Sequence, residues 1–381
     1  MDAPPKKIVV DVRLLARGGT SGIPEYTRRL IDNVLATDRL NKYALFYPGF
    51  HKKPLPRSWA LAPRCSVIDI PVPNKLLDIS ARFFKAPKFD HWLDADLVFS
   101  PHFNILALRK TPRVITFHDL SFLHHPRFFS RKQRFWHWLQ HYKHQAESAQ
   151  KIIAVSEFTK SDIVNLLGVP EEKINVVYSG IAETFRPQSG AERKNFKKTW
   201  RIDFPFILYL GTLEPRKNVE AVIRAFTIVK KQPALKNLRL IIAGRRGWLY
   251  KNILTEAQKS PYRDHIIFKR TLADRDRAAL MDAAEVFVFP SFFEGFGFPP
   301  LEAQACGTPV IVSNRTSLLE VMGKSALYIN PWRVTELAEN IEYLLLNPEK
   351  HKLFADRGRR NARRFNWRKT ANETLEIFRH A

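Results

Sequence analysis

Apolar and polar positions alternate between two regimes along this chain. Short apolar runs at 8–12, 43–47, 66–70, 97–99, 114–117 and 151–155 read as strands, and helical spacing fills several of the gaps between them. The first run leads into a glycine-rich turn, Gly18-Gly19-Thr20-Ser21-Gly22. Pro24 then suits the opening turn of a helix, because its missing N–H would have no intrahelical partner there.

The pattern lapses between Gly180 and Asp203, a polar and partly basic stretch holding Pro187, Ser189 and Gly190, and a domain boundary is expected there. It restarts at 206–210 with a turn at Gly211, and the next helix gathers Val219, Val222, Ile223, Phe226 and Val229 on one face. Further strands are expected at 238–243, 266–268, 286–289, 310–312 and 327–329, with a helix at 334–346. Strands alternating with helices predict βαβ units and mostly parallel sheets. The expected fold is α/β, with two Rossmann-like domains, 1–185 and 204–362, facing each other across a cleft. In such sheets ligands sit beyond the carboxyl ends of the strands, so the loops after strands should carry the chemistry.

Composition narrows the class. At 381 residues, 45% hydrophobic and 26% charged, the chain fits a soluble two-domain protein. Two distant cysteines, Cys65 and Cys306, offer no disulfide framework and no zinc spacing, which favours a reducing compartment. Lys6-Lys7 precede only a short apolar stretch broken by Asp11 and Arg13, unlike a secretory leader, and no apolar run approaches bilayer length. A cytoplasmic protein is expected. Lys plus Arg number 62 against 37 Asp plus Glu, a net charge of +25 that asks for an anionic partner: donor phosphates, nucleic acid or an anionic membrane face.

The densest chemistry follows the run at 286–289. Glu294 falls in a strand-to-helix loop with Gly295, Phe296, Gly297 and Phe298, and Pro299-Pro300 open a short helix that Gly307 closes. The open amides of that helix would seat a phosphate. Glu302 is placed in its first turn, where a carboxylate is stabilised by the helix end alone; Glu294 has no such local reason. From these residues alone, helix-end stabilisation with surface exposure and a functional pair both remain open.

The two glutamates around this loop, followed by Glu302-Ala303-Gln304-Ala305-Cys306-Gly307-Thr308-Pro309-Val310, resemble the signature of family 4 glycosyltransferases. The resemblance extends to Gly211-Thr212-Leu213-Glu214-Pro215-Arg216-Lys217-Asn218, Ala243-Gly244-Arg245-Arg246-Gly247-Trp248, Phe117-His118-Asp119-Leu120 and Val155-Ser156-Glu157-Phe158, in order over nearly the whole chain. It implies the GT-B fold, with segment 363–381 forming a helix that returns to the N-terminal domain, and a retaining transfer from a nucleotide diphosphate sugar without metal or cofactor. By position, Arg216 and Lys217 would grip the diphosphate, Glu302 the ribose hydroxyls, and Glu294 the transferred sugar, with Gly295, Phe296, Gly297 and Phe298 around it. His118 would lie near the hexose, and Gly19 and Gly22 would bring amides to the donor phosphate and the acceptor. Three departures stand out. Thr212 replaces a common arginine, Pro24 stands where a second glycine is common, and Arg270-Thr271-Leu272 matches the base-pocket pattern loosely.

The form of the 211–218 loop resembles members that use GDP-mannose or a related deoxyhexose such as GDP-rhamnose, which favours a GDP-sugar. The acceptor expected is lipid-linked or an oligosaccharide, as in lipopolysaccharide and other surface-polysaccharide assembly. Segment 126–145 carries Arg127, Arg131, Lys132, Arg134 and Lys143 among six aromatic residues and no acid. It reads either as a peripheral contact with the inner face of the cytoplasmic membrane or as core aromatics with a solvated basic face. Two carboxylates would also suit a glycosidase, but neutral glycosides need no diphosphate seat. A nucleotide-sugar epimerase of the same architecture and a basic nucleic-acid-binding protein are the alternatives; no recognised nucleic-acid module is present, and nucleic acid is not the expected partner.

Overall fold

A computed structural model describes residues 4–18, 22–50, 52–270 and 272–381, and the chain separates into two compact units. One comprises the chain to Gly180 with Asn366–Ala381; the other is Ile181–Phe365.

In the first unit the strands are β1 (Lys7–Asp11), β2 (Lys42–Pro48), β3 (Cys65–Ile70), β4 (Leu97–Ser100), β5 (Arg113–Phe117), β6 (Lys151–Ala154) and β7 (Ile174–Val176). They form one parallel sheet in the order β3-β2-β1-β4-β5-β6-β7. Val9 sits opposite both Ala44 and Val98, so β1 and β4 meet at the point where the chain switches direction across the sheet. Helices cover both faces of such a sheet, which is why β4 and β5 are buried along their full length and read as unbroken apolar runs.

The second unit repeats the plan with β8 (Phe206–Leu210), β9 (Arg239–Ala243), β10 (Ile266–Lys269), β11 (Val286–Phe289), β12 (Val310–Ser313) and β13 (Leu327–Ile329). Its order is β10-β9-β8-β11-β12-β13, and Ile207 lies between Leu240 and Val286 at the corresponding switch point. Two parallel sheets with flanking helices are the GT-B plan expected.

The C-terminal helix, Trp367–Arg379, belongs to the first unit, as the resemblance implied. Asn366 caps it, accepting from the backbone N–H groups of Arg368 and Lys369. Phe378 packs on Phe99 with ring centroids 5.0 Å apart, and Lys6 Nζ donates to the carbonyls of Phe378 (2.8 Å) and Ala381 (2.9 Å).

Differences from the sequence reading concern weakly patterned segments. The polar stretch read as a boundary carries a helix, Gly190–Trp200, opened by a Ser189–Glu192 capping box and anchored by one buried aromatic, Phe196. Strand β7 was not expected, since three residues with Asn175 in the middle show no period. Segment 126–145 breaks into helices Arg131–Leu139 and Tyr142–Ser148 at His141, whose φ is +50°. Phe129, Trp136 and Tyr142 pack against core, whereas Phe135 and Trp138 are exposed. Cys65 and Cys306 are both free thiols. Among the described residues no helix is long and apolar enough to cross a membrane.

A Cβ on Gly180 would lie 2.2 Å from Trp367 N and 2.6 Å from the carbonyl carbon of Asn366. Backbone cannot yield there as a flexible side chain would, so Gly180→Ala should cost roughly 1–3 kcal/mol by overpacking. Urea unfolding should show the midpoint moving down; an unchanged midpoint would show slack where the structure places none.

Candidate active site

The second unit assembles its candidate residues at the carboxyl ends of β8 and β11. After β8 the chain turns at Gly211, whose N–H donates to Ala243 O (3.0 Å); a Cβ on neighbouring Gly244 would lie 1.9 Å from Gly211 O. Only glycine allows the two post-strand loops to approach this closely. Pro215–Lys217 then form a 3-10 turn that ends at Asn218 in the left-handed conformation, φ +54°. Asn218 Nδ2 donates to Pro290 O (3.2 Å) and Pro331 O (2.7 Å), pinning this turn to the loops after β11 and β13.

Held in this way, two cations and two carboxylates interlock. Lys217 Nζ donates to Glu294 Oε1 at 2.6 Å and lies 4.9 Å from the centre of the Phe289 ring. Arg216 reaches Glu294 Oε2 at 3.4 Å and the Phe293 carbonyl at 2.7 Å through Nη1, and Glu214 Oε1 at 2.9 Å through Nη2. Glu294 is only 6% exposed; its N–H donates to Thr316 Oγ1, and its carbonyl accepts from Ser317 Oγ. Burial, reinforced by neighbouring Arg216, lowers the Lys217 pKa, while Glu294 and Glu214 oppose that shift.

The loop continues through Gly295 and Phe296 to Gly297, which has φ +95° and precedes helix Phe298–Cys306. A Cβ on Gly297 would meet Leu318 Cδ2 at 2.6 Å. Phe296 packs edge-on against Phe298, with centroids 5.0 Å apart, closing the loop's apolar side. Glu302 lies beyond the first turn of this helix, contrary to the sequence reading, because the helix begins at Phe298 rather than at the prolines. Helix-end stabilisation therefore does not account for it. Its buried Oε2 accepts from Arg277 Nη2 at 2.6 Å, and the Arg277 guanidinium also pairs with Asp274 and faces the Phe185 ring at 5.1 Å. At the position where the resemblance has a common arginine, Thr212 Oγ1 accepts from Arg245 Nε at 3.3 Å.

In the first unit His118 follows β5. Its Nε2 donates to Pro101 O at 2.8 Å; a carbonyl only accepts, so Nδ1 keeps its lone pair. The ring stands edge-on to Tyr26, centroids 4.6 Å apart, and stacks at 6.1 Å on His102. His137 stacks on Phe122 at 4.1 Å beside them. Burial pushes His118 and His137 down to about 4, and burial with two histidine neighbours holds His102 well below the usual range. The Nδ1 atoms of His102 and His137 are buried without a hydrogen-bond partner among the described residues. Gly22, φ +64°, precedes helix Ile23–Thr37, with Pro24 in its opening turn. Gly19 lies outside the described residues, as do Thr20, Ser21 and Thr271.

Residues 21–185 match the family described as Glycosyltransferase Family 4, and residues 191–361 match Glycosyl transferases group 1. O-antigen chain mannosyltransferase B of Escherichia coli is 30% identical over 275 residues, 72% of each chain. The chain belongs to the family 4 glycosyltransferases. This transferase is also 28% identical over 256 residues to MMP alpha-(1->4)-mannosyltransferase of Mycolicibacterium hassiacum, covering 65% of this chain and 58% of the relative. Among solved structures, sucrose-phosphate synthase of Thermosynechococcus elongatus superposes with a TM-score of 0.79 at 20% identity over 98% of both chains. Anabaena HepE in complex with UDP-glucose gives 0.75 at 17% identity, over 99% of this chain and all of that one (100%).

The structure thus brings Arg216, Lys217 and Glu294 together, and places Glu302 on the helix that follows. Arg277, His102 and His137 were not singled out from sequence. Arg277 lies 25 positions before its partner with no local pattern linking them.

The histidine group predicts a pH response. Folded values near 4, below the ordinary 6.5, mean that the unfolded chain takes up protons first as pH falls. This contribution is complete above about pH 6.5 and is lost as pH falls toward 4, at about 1.4 kcal/mol per pH unit for each histidine. His137→Phe keeps a ring against Phe122 and should remove one proton's share of that slope in urea titrations at stepped pH. Equal slopes for the two proteins would remove His137 from the account.

Proposed function

We propose that this transferase moves a hexose, mannose or a related deoxyhexose, from a GDP-sugar to a lipid-linked or polysaccharide acceptor in cell-envelope glycan synthesis. We place it in the cytoplasm, at the inner face of the membrane, and assign it a retaining, metal-independent reaction. The observation that carries the reading is the buried Lys217–Glu294 pair with Arg216 beside it. Breaking the sugar–phosphate bond develops negative charge on the departing diphosphate, and preorganised cations and helix-end amides stabilise it. Arg216, Lys217 and the N-terminus of helix Phe298–Cys306, with Gly295 and Gly297 beside it, supply these groups.

In this mechanism the diphosphate takes over the two cations, and Glu294 is released to accept hydrogen bonds from the transferred sugar. Glu302, oriented by Arg277, accepts from the ribose hydroxyls. Phe296 and Phe298 shield the loop, and Gly22 brings its backbone amide to the donor phosphate or acceptor, a role that the family resemblance extends to Gly19. His118, neutral at cellular pH, serves the hexose as an acceptor through Nδ1; burial makes it a poor proton donor. The acceptor hydroxyl enters on the face the diphosphate leaves, and a donor phosphate oxygen takes its proton. The mannosyltransferase relatives support mannose and the form of the 211–218 loop supports a GDP-sugar, although the HepE neighbour was solved with UDP-glucose.

Glu294→Ala should lower transfer by a factor on the order of a hundred or more while nucleotide affinity holds or tightens, because Lys217 loses its competing partner. Wild-type turnover in this variant would sink the assignment. A thermal-shift series with GDP, UDP, dTDP and ADP should favour GDP, and excess EDTA should leave transfer of labelled sugar intact. A stronger shift with UDP, or loss of transfer with EDTA restored by magnesium, would overturn the base and metal assignments respectively.

A further inference from the structure

The first unit contains a second polar feature that the proposed reaction does not use. A cavity of about 620 Å³ opens between helix Asn74–Phe83 with the segment after it, the stretch leading into β5, and helix Tyr142–Ser148. Arg82, Lys85, Lys88, Arg109, Lys110 and Arg113 line it, with His141 and His144 and no carboxylate among the described residues. Arg113 is spent internally on Ser100 Oγ, Gln145 Oε1 and the Asn104 carbonyl, and Lys88 Nζ donates to Leu108 O at 3.1 Å, but Lys85, Arg109 and Lys110 are exposed. Arg82 Nη1 bonds His141 Nδ1 at 3.1 Å and the guanidinium lies 5.1 Å from the Trp138 ring, but its buried Nε has no partner among the described residues. Two carboxylates lie on neighbouring segments without entering the lining. Asp90 accepts from the N–H groups of Arg109, Lys110 and Thr111, and Asp78 pairs with Arg13. Lys110 precedes β5 and Arg113 opens it, whereas His118 follows its end, so this cavity is separate from the site described above.

An exposed apolar surface adjoins the cavity where Arg82 meets Trp138. Leu76, Ile79 and Phe83 recur along the solvent side of helix Asn74–Phe83, followed by Phe84 at 76% exposure. Phe135, 61% exposed, and Trp138 continue the surface on helix Arg131–Leu139, where Trp138 meets Phe83 with centroids 6.3 Å apart. Lys75, Arg131, Lys132 and Arg134 flank these rings. Exposed rings beside uncompensated cations match the boundary of an anionic bilayer, where aromatics sit at headgroup depth and cations meet phosphate.

We propose that this cavity binds the phosphate of an anionic membrane lipid headgroup while Phe83, Phe84, Phe135 and Trp138 enter the bilayer interface. The site deepens the membrane-facing part of the proposed function by naming the contact. Its test involves no turnover, so it stands or falls separately from the donor chemistry. The full chain is floated with vesicles of phosphatidylcholine alone or mixed with phosphatidylglycerol. Binding should require phosphatidylglycerol. It should fall roughly a hundredfold in Lys85→Gln/Arg109→Gln/Lys110→Gln, three exposed positions whose replacement leaves the core untouched. Phe84→Ser/Phe135→Ser should weaken it with all charges kept. The matched triple Lys194→Gln/Lys198→Gln/Lys352→Gln, on the other unit, should bind like the parent. Equal losses in the two triples would reduce the site to diffuse charge and overturn it. So would binding to neutral vesicles, or binding of soluble glycerol phosphate at the cavity without any vesicle binding.

Discussion

Lys217 and Glu294 hold opposite charges 2.6 Å apart with little access to water, and much of the surrounding architecture serves to keep them there. Removing two charges from water is expensive, and a buried pair recovers that cost only with good geometry and further hydrogen bonds. The further contacts are present. Arg216 bridges Glu214, Glu294 and the Phe293 carbonyl, and Asn218 adopts a left-handed backbone to clamp three loops. Losing one member would leave an uncompensated charge, a penalty of about 3–5 kcal/mol. A site meant to accept a dianion faces the same difficulty before its ligand arrives, because two adjacent cations would repel each other in a poorly solvated loop. In the proposed reaction Glu294 resolves this by neutralising them until the diphosphate does. The pair then belongs to the ground state of the empty enzyme, and its exchange couples donor binding to the availability of Glu294.

Much of this was legible in sequence because parallel sheets write strongly into it. All twelve strands read from apolar runs are present, and the residues carrying the family resemblance fall after β5, β6, β8, β9 and β11 and along helix Phe298–Cys306. The proximity of Lys217 to Glu294, 77 positions apart, followed from the topology, since β8 and β11 are sheet neighbours. What stayed hidden was decided by single contacts. The start of helix Phe298–Cys306 depends on Gly297 turning against Leu318, and the prolines misled by one turn position. Arg277 is one of many basic residues until Glu302 and Phe185 are seen around it. Helix Gly190–Trp200 has a single buried anchor, too little to produce an apolar stripe.

The histidines of the first unit show how one hydrogen bond can fix a chemical role. An isolated imidazole could donate or accept from either nitrogen, and near neutral pH it could also carry charge. The Pro101 carbonyl removes the first freedom for His118 by taking the Nε2 proton, and burial removes the second. His102 and His137 reinforce it, since protonating any one of three crowded rings would raise the cost for the others. His118 is therefore a neutral acceptor at Nδ1, chemically suited to a hydroxyl and poorly suited to donating a proton.

The net charge of +25 looked at first like a single property, yet the cations divide by partner. Arg13, Arg193, Arg216, Lys217 and Arg277 each face a carboxylate and contribute little field beyond their pairs. Around the 620 Å³ cavity, by contrast, no described lining residue is a carboxylate, although Asp90 holds the backbone of Arg109 and Lys110. Exposed charges act together only within roughly 8 Å at physiological salt, so a large total spread evenly would attract no particular anion. A cluster that excludes acids concentrates the potential, and exposed rings next to it add an apolar requirement that a soluble anion or a nucleic-acid backbone does not satisfy. Composition asks only for some anionic partner; in the proposed reading, a lining without carboxylates beside exposed Phe84 and Phe135 is what favours a bilayer.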